Sequence, residues 1–385
     1  MLPLIAFSDS KKYFRDMIFL FLLSIVHADS FFSNVSEEIN IEIGGTWAIP
    51  IHDGYQWWLG MGQASDLWIA PMFEGSWFID MAQTKNLSNV GTLRDHSFRK
   101  CSDGSFLHLS GGDTGSPNQI FRYDSAFDLI SQQGYPQADP PHATNDVPAI
   151  CGDSFDGFGI AEGQGREDFF VEVDDNSTPS PPILLPDSPR MTGAGLTEVN
   201  EQLIVAGMDP GPDISISVYD TNFDIVERAL IAPISEEILH YWPSRIEKIG
   251  EYYLIATMGR DPLSGFGVDN GDLYFVVVNQ AFETQEWLQL SFNDPDIGGG
   301  GMRPWFEYYE EQLVIGYDKS NSLYLYTLTL NLDKFQNIDS SEPSSEPSTE
   351  PSVEPDAPAK DGCGANQALL LPFLWGVFSY RRKKN

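Results

Sequence analysis

Phe121-Arg-Tyr-Asp-Ser-Ala-Phe-Asp-Leu-Ile130 returns about a hundred residues later as Val218-Tyr-Asp-Thr-Asn-Phe-Asp-Ile-Val226, and in worn form as Val277-Val-Asn-Gln-Ala-Phe-Glu283. Each copy reads as a strand, a polar turn and a returning strand. A second element recurs upstream of them: Phe106–Asp113 ends in Gly-Gly-Asp, Leu203–Asp209 in Gly-Met-Asp, Leu254–Asp261 in Gly-Arg-Asp and Leu313–Asp318 in Gly-Tyr-Asp. Leu59-Gly-Met-Gly-Gln63 and Ile160-Ala-Glu-Gly-Gln164 take the same place in two further copies. The strands of this second kind begin near residues 55, 105, 157, 202, 252 and 312.

Six copies at about fifty residues, each able to supply up to four short strands, predict an all-β, six-bladed β-propeller. The blades fall at about 45–95, 96–145, 146–189, 190–239, 240–300 and 301–332. The same spacing leaves open a five- or seven-bladed count and a pair of β-sandwiches. The sixth copy has only three strands. Glu38-Ile-Asn-Ile-Glu-Ile43 is an alternating strand with no partner of its own, so it is expected beside Leu323–Leu330, closing the last blade and removing a free edge. No ten-residue segment keeps a helical period clear of Gly or Pro. Cys101 and Cys151 sit fifty residues apart at matching places in neighbouring copies. They are a candidate disulfide worth about 3–4 kcal/mol in loop entropy, with two buried thiols as the other reading.

Outside the repeats lie address-like segments. Lys11, Lys12 and Arg15 precede the apolar run Met17–Val26 and then His27-Ala28, the layout of a signal peptide cleaved after residue 28. The body spans 29–337. Residues 338–362 form an acidic spacer built on a Glu-Pro-Ser-x unit, extended by its prolines and by charge repulsion. Residues 363–385 hold Cys363-Gly364, an apolar stretch Ala368–Tyr380 and the basic stop Arg381-Arg-Lys-Lys384. Spacer, cysteine, short apolar segment and basic end resemble the MYXO-CTERM sorting signal of myxobacteria. The resemblance covers about the last 25 residues and departs from many members in its single Gly-Cys-Gly. It implies display at the cell surface or outer envelope, with processing near Cys363 and membrane contact through the tail only. A short transmembrane anchor is the plainer alternative.

The chain carries 22 Lys+Arg against 56 Asp+Glu, a formal charge of -34, nearly all of it within 29–337. That charge repels phosphate backbones and excludes nucleic acid as a partner. In a propeller the loop after the second strand and the connection between blades open on one face. Asp113, Asp209, Asp261 and Asp318 are therefore expected around one rim, with Arg190, Arg245, Arg303, His96, His240 and Trp305 brought toward the same mouth. Acidic, basic and aromatic groups together suit a sugar-like ligand. The arginines resemble the carboxylate-binding set of sialidases, but that family's Ser-x-Asp-x-Gly-x-Thr-Trp box is not present; Ser102-Asp-Gly-Ser105 is a fragment without the tryptophan. Each Gly-x-Asp also reads as an ordinary turn. Ca²⁺ is the one cofactor the carboxylates admit, with Asp269-Asn-Gly-Asp272 the best local loop. Three roles follow: a surface binding module for a glycan or protein partner, a glycoside hydrolase acting at the mouth, or a structural envelope protein. A channel plugged by side chains favours the last, a deep pocket with two carboxylates the second.

Overall fold

The structure is a computed structural model that describes residues 30–336, without 46, 64–65, 74, 88–92, 113–117, 136–147, 162–166, 209–210, 236–239, 261–270, 292–301 and 320–321. The expectations on 1–28, on the spacer 338–362 and on Cys363 and its tail lie outside the described residues. The chain divides into two units, Met1–Ser340 and Ser341–Asn385, and the described residues all belong to the first.

The fold is a six-bladed β-propeller. Two short strands come first, β1 (Phe32–Ser33) and β2 (Ile39–Gly44). The first blade is β3 (Trp47–His52), β4 (Trp57–Gln63), β5 (Asp66–Pro71) and β6 (Lys85–Asn86), and the second is β7 (Leu93–Lys100), β8 (Phe106–Gly112), β9 (Asn118–Tyr123) and β10 (Leu129–Tyr135). The third holds β11 (Ala149–Cys151), β12 (Asp156–Ala161), β13 (Asp168–Glu172) and β14 (Ile183–Leu185); the fourth β15 (Arg190–Val199), β16 (Gln202–Met208), β17 (Ile214–Tyr219) and β18 (Ile225–Ile231). The fifth is β19 (His240–Ile249), β20 (Tyr252–Arg260), β21 (Gly271–Asn279) and β22 (Thr284–Gln289). The sixth has three consecutive strands, β23 (Met302–Tyr309), β24 (Gln312–Lys319) and β25 (Ser322–Leu330). Its outer edge is supplied from the other end of the chain. β2 pairs with β25, Ile39 opposite Leu325, and β1 pairs with its end, Phe32 opposite Leu330.

The cores lie between blades rather than within them, because each sheet is apolar on both faces. Trp47, Ile49 and Ile51 of the first blade pack on Phe98, Phe106 and Phe121 of the second. The ring closes through Ala48, Leu59 and Met61 against Val314, Leu323 and Leu325 of the sixth. The recurring Tyr-Asp-x-x-Phe-Asp segment is the staple of this packing. In its third-to-fourth-strand turn, Asp220 Oδ1 accepts from the N–H groups of Asn222 (2.8 Å) and Asp224 (3.0 Å), an Asx cap. The cap holds Phe223 at φ 62°, a left-handed conformation that a bulky residue adopts only when held there. Its ring is thereby driven between Phe155 and Phe170, 5.6 and 5.4 Å away. Phe127 at φ 60° and Phe282 at φ 57° repeat the device behind Asp124 and Asn279. Cys101 and Cys151 are joined by a disulfide, Cα atoms 4.8 Å apart, tying blade two to blade three.

The two faces of the ring differ. One carries the hairpins between first and second and between third and fourth strands. The other receives the ends of the second strands and the connections between blades. Both ends of the described chain sit on the hairpin face: Asn331 N–H donates to Phe31 O (3.0 Å), and Glu251 N–H donates to Phe335 O (2.7 Å) at the end of the one-turn helix Leu332–Phe335. Among the described residues no helix is long and apolar enough to cross a membrane.

Candidate functional site

The first strands of the blades surround the ring axis and touch one another in sequence. At Gly195 the approach is backbone to backbone: a Cβ there would lie 2.7 Å from Arg245 C and Ile246 N, so a side chain would push β15 off β19. The axis is filled from these strands by Arg99, Arg245, Glu247, Glu307 and Trp305.

Arg99 is the hub. It stands one residue from the end of β7, and from there reaches four other inner strands. Its Nε donates to Ala149 O (2.9 Å) on β11 and its Nη2 to Leu196 O (2.8 Å) on β15. Nη1 pairs with Glu247 Oε1 (2.5 Å) on β19, in the blade opposite its own. Its guanidinium also lies over the Trp305 ring on β23, 5.2 Å from the centroid. Arg245 Nη2 joins Glu247 Oε1 (3.0 Å) and Glu307 Oε2 (3.1 Å) and sits over the same Trp305 ring at 5.2 Å. Two arginines and two glutamates leave the group neutral. Burial, and then the like charge of Arg245, push the Arg99 guanidinium down to about 10. Burial raises the Glu307 carboxyl, opposed by Arg245. Chemically this is a charge-balanced plug with buried arginines and partly exposed glutamates, and both carboxylates are bound to arginine.

Of the residues expected at the mouth, the plug contains Arg245 and Trp305, both buried. They meet at the axis inside the ring and not at its opening, because β19 and β23 carry them down between the blades. His96 is likewise not at the mouth. It lies within β7, 2% exposed, its Nδ1 3.1 Å from His108 Nε2 and 3.2 Å from Ser110 Oγ. Asp318 is inside β24 and buried. Arg190 is exposed at the start of β15, on the face where second strands end. Asp113, Asp209 and Asp261 lie outside the described residues, as do the side chains of His240 and Arg303. For calcium, Asp272 accepts from Gln289 Nε2 (3.0 Å) and Ser291 Oγ (3.4 Å). Among the described residues there is no group of three His, Cys, Asp or Glu placed to hold a metal.

Arg99, Glu247 and Glu307 were not singled out by the sequence reading. A signal for the glutamates exists: Ile246-Glu-Lys-Ile-Gly-Glu-Tyr252 and Phe306-Glu-Tyr-Tyr-Glu-Glu-Gln312 align column by column. Glu247 and Glu307 thus hold one position of the repeat, two residues before the end of their strands.

No family model matches the chain, and no curated protein is similar to it. Among solved structures it is similar to a member of the DUF4221 family from Bacteroides vulgatus, at 14% identity over 77% of this chain and 97% of that one, with a TM-score of 0.49. It is also similar to a subtype N10 neuraminidase-like protein of a little yellow-shouldered bat isolate from Guatemala, at 10% identity over 77% and 98% with a TM-score of 0.46. A luciferin-regenerating enzyme is similar at 13% identity over 76% and 95% with a TM-score of 0.45. Propellers carry many unrelated activities, and none of these identities reaches the level at which function passes between proteins.

Proposed function

We propose that the protein is an exported, surface-anchored β-propeller that acts as a binding module for a glycan or protein partner, using the face opposite the hairpins. What sets this reading above hydrolysis by the axial glutamates is the plug. Glu247 and Glu307 are held by Arg99 and Arg245, whereas a glycosidase needs one free carboxylate and one protonated carboxyl across an open pocket. Arg190 is exposed on the face opposite the hairpins.

The same plug favours a second reading, a structural envelope component in which the filled ring is a rigid body with no small ligand. A thermal-shift screen of the full chain against a glycan panel, with and without Ca²⁺, separates the two. Stabilisation by a sugar that Arg190→Ala weakens supports binding at the face opposite the hairpins. No shift with any sugar, in either condition, together with no bound partner in a pull-down from envelope extracts, leaves the structural role.

A further inference from the structure

The disulfide has a charged neighbour. Arg122, on β9 and 4% exposed, directs Nη1 at both sulfurs, 3.5 Å from Cys101 Sγ and 3.8 Å from Cys151 Sγ, with Ser105 Oγ at 3.4 Å. Its Nη2 donates to Asp156 Oδ2. Asp156 is the direct cross-strand partner of Cys151 in the pairing of β11 with β12, which sets the two side chains on one face of the sheet. Two buried polar atoms here lack a hydrogen-bond partner, Arg122 Nε and Asp156 Oδ1. The bridge sulfurs are only weak acceptors for Arg122 Nη1, whereas a thiolate at Cys101 accepts from the same guanidinium as a charge-assisted partner. A buried cation beside sulfur favours the thiolate, so it stabilises the reduced state relative to the bridge. Cys101 is 6% exposed, while Cys151 is only half-buried, so Cys151 is the more accessible of the two and Cys101 is placed to leave.

We propose that Cys101–Cys151 is an exchangeable bridge, opened by a dithiol reductant. A thiolate of the dithiol attacks Cys151 Sγ; the Cys101–Cys151 bond breaks, and Cys101 leaves as a thiolate beside Arg122. The second thiol of the reductant then attacks the mixed disulfide. Cys151 is released as a thiol, the reductant ends as its own disulfide, and two electrons and one proton have passed to the protein, the dithiol's other proton going to solvent while Cys101 stays a thiolate. Opening removes the covalent tie between the second and third blades. The non-covalent ties remain, Arg99 to Ala149 O and Ala149 N–H to Ser97 Oγ (3.1 Å), so the ring loosens locally rather than unfolding.

The test uses the full chain carrying Cys363→Ser, equilibrated in mixtures of reduced and oxidised dithiothreitol, acid-quenched and mass-tagged to count thiols. Arg122→Gln should need at least about a tenfold higher ratio of reduced to oxidised reagent for half-reduction, while Arg122→Lys, which keeps the charge, stays close to the parent. Equal midpoints for the parent and a folded Arg122→Gln overturn the proposal. Should that variant not fold, the parent alone decides: brief exposure to glutathione should trap the mixed disulfide on Cys151, and trapping on Cys101, or none, overturns it.

Discussion

Replacing Arg99 by methionine keeps most of the side-chain volume and deletes the charge at the centre of the ring. Ala149 O and Leu196 O each lose a donor, at about 1 kcal/mol apiece for a buried group left unsatisfied. Glu247 keeps one arginine of its two, and the plug goes from neutral to one net negative charge. Removing one member of a buried ion pair costs about 3–5 kcal/mol; with Arg99 7% and Glu247 23% exposed at the side chain, we expect about 4 kcal/mol for Arg99→Met. The informative variant is the double, Arg99→Met with Glu247→Leu. It leaves Arg245 paired with Glu307 and the plug neutral again, so most of the loss should return, to within about 2 kcal/mol of the parent. Urea unfolding followed by tryptophan fluorescence measures both. If Arg99→Met costs less than about 1 kcal/mol, or the double variant is as unstable as the sum of the singles, charge balance at the axis is not what holds the plug.

Burial holds the Asp168 carboxyl up at about 6, while Met191 N–H and Arg190 pull it down. A carboxyl raised in the fold contributes fully below its unfolded value of 3.8 and loses that contribution as pH rises through about 6. Asp168→Asn should therefore gain about 1–3 kcal/mol at pH 7.5, with the difference in urea midpoints shrinking as pH approaches 4. His108 has the opposite slope. Burial first, and then the charge of His96, hold it well below 6.5, so the unfolded chain takes up a proton before the fold does and stability drops as pH falls below about 6.5. His108→Phe, among the rings of Phe98, Phe121 and Tyr123, should flatten the fall in urea midpoint between pH 7.5 and 5.5; an unchanged slope counts against this assignment. Deleting residues 30–44 strips β1 and β2 from β25 and uncovers its edge, so the shortened chain should self-associate or unfold at lower urea by size exclusion and denaturation. A monomer with an unshifted midpoint refutes the closing role of these strands.

The repeat was legible because its copies share two devices. One is the apolar second strand, packed on both faces. The other is the Asx-capped turn that inserts Phe127, Phe223 or Phe282 between blades. Closure was legible too, since an alternating strand without a partner at one end matched a three-stranded copy at the other. The plug was not. Strand alternation tells which residues of β7 and β19 point toward the next blade, but not that these residues meet. Arg99 and Glu247 are 148 residues apart, and only a ring of six blades puts their strands across one axis. The burial of His96 and Arg245 was not legible for a related reason. Polar residues inside β7 and β19 look like loop residues until the strands prove long enough to carry them inward.

The seam of the ring also imposes an order of events on the chain. Ile39–Gly44 is made early, whereas its partner Ser322–Leu330 comes at the far end of the propeller, so the first strand waits for nearly the last one. Contacts of such sequence separation close slowly, and through that interval an isoleucine ladder has no neighbour. Its own sequence guards it. Ile39, Ile41 and Ile43 alternate with the exposed Asn40 and Glu42 behind Glu37 and Glu38, and charge of that kind discourages another chain from adding to the waiting edge. The acidity of this segment thus serves the molecule before the ring exists, by keeping the place of β25 vacant until β25 arrives.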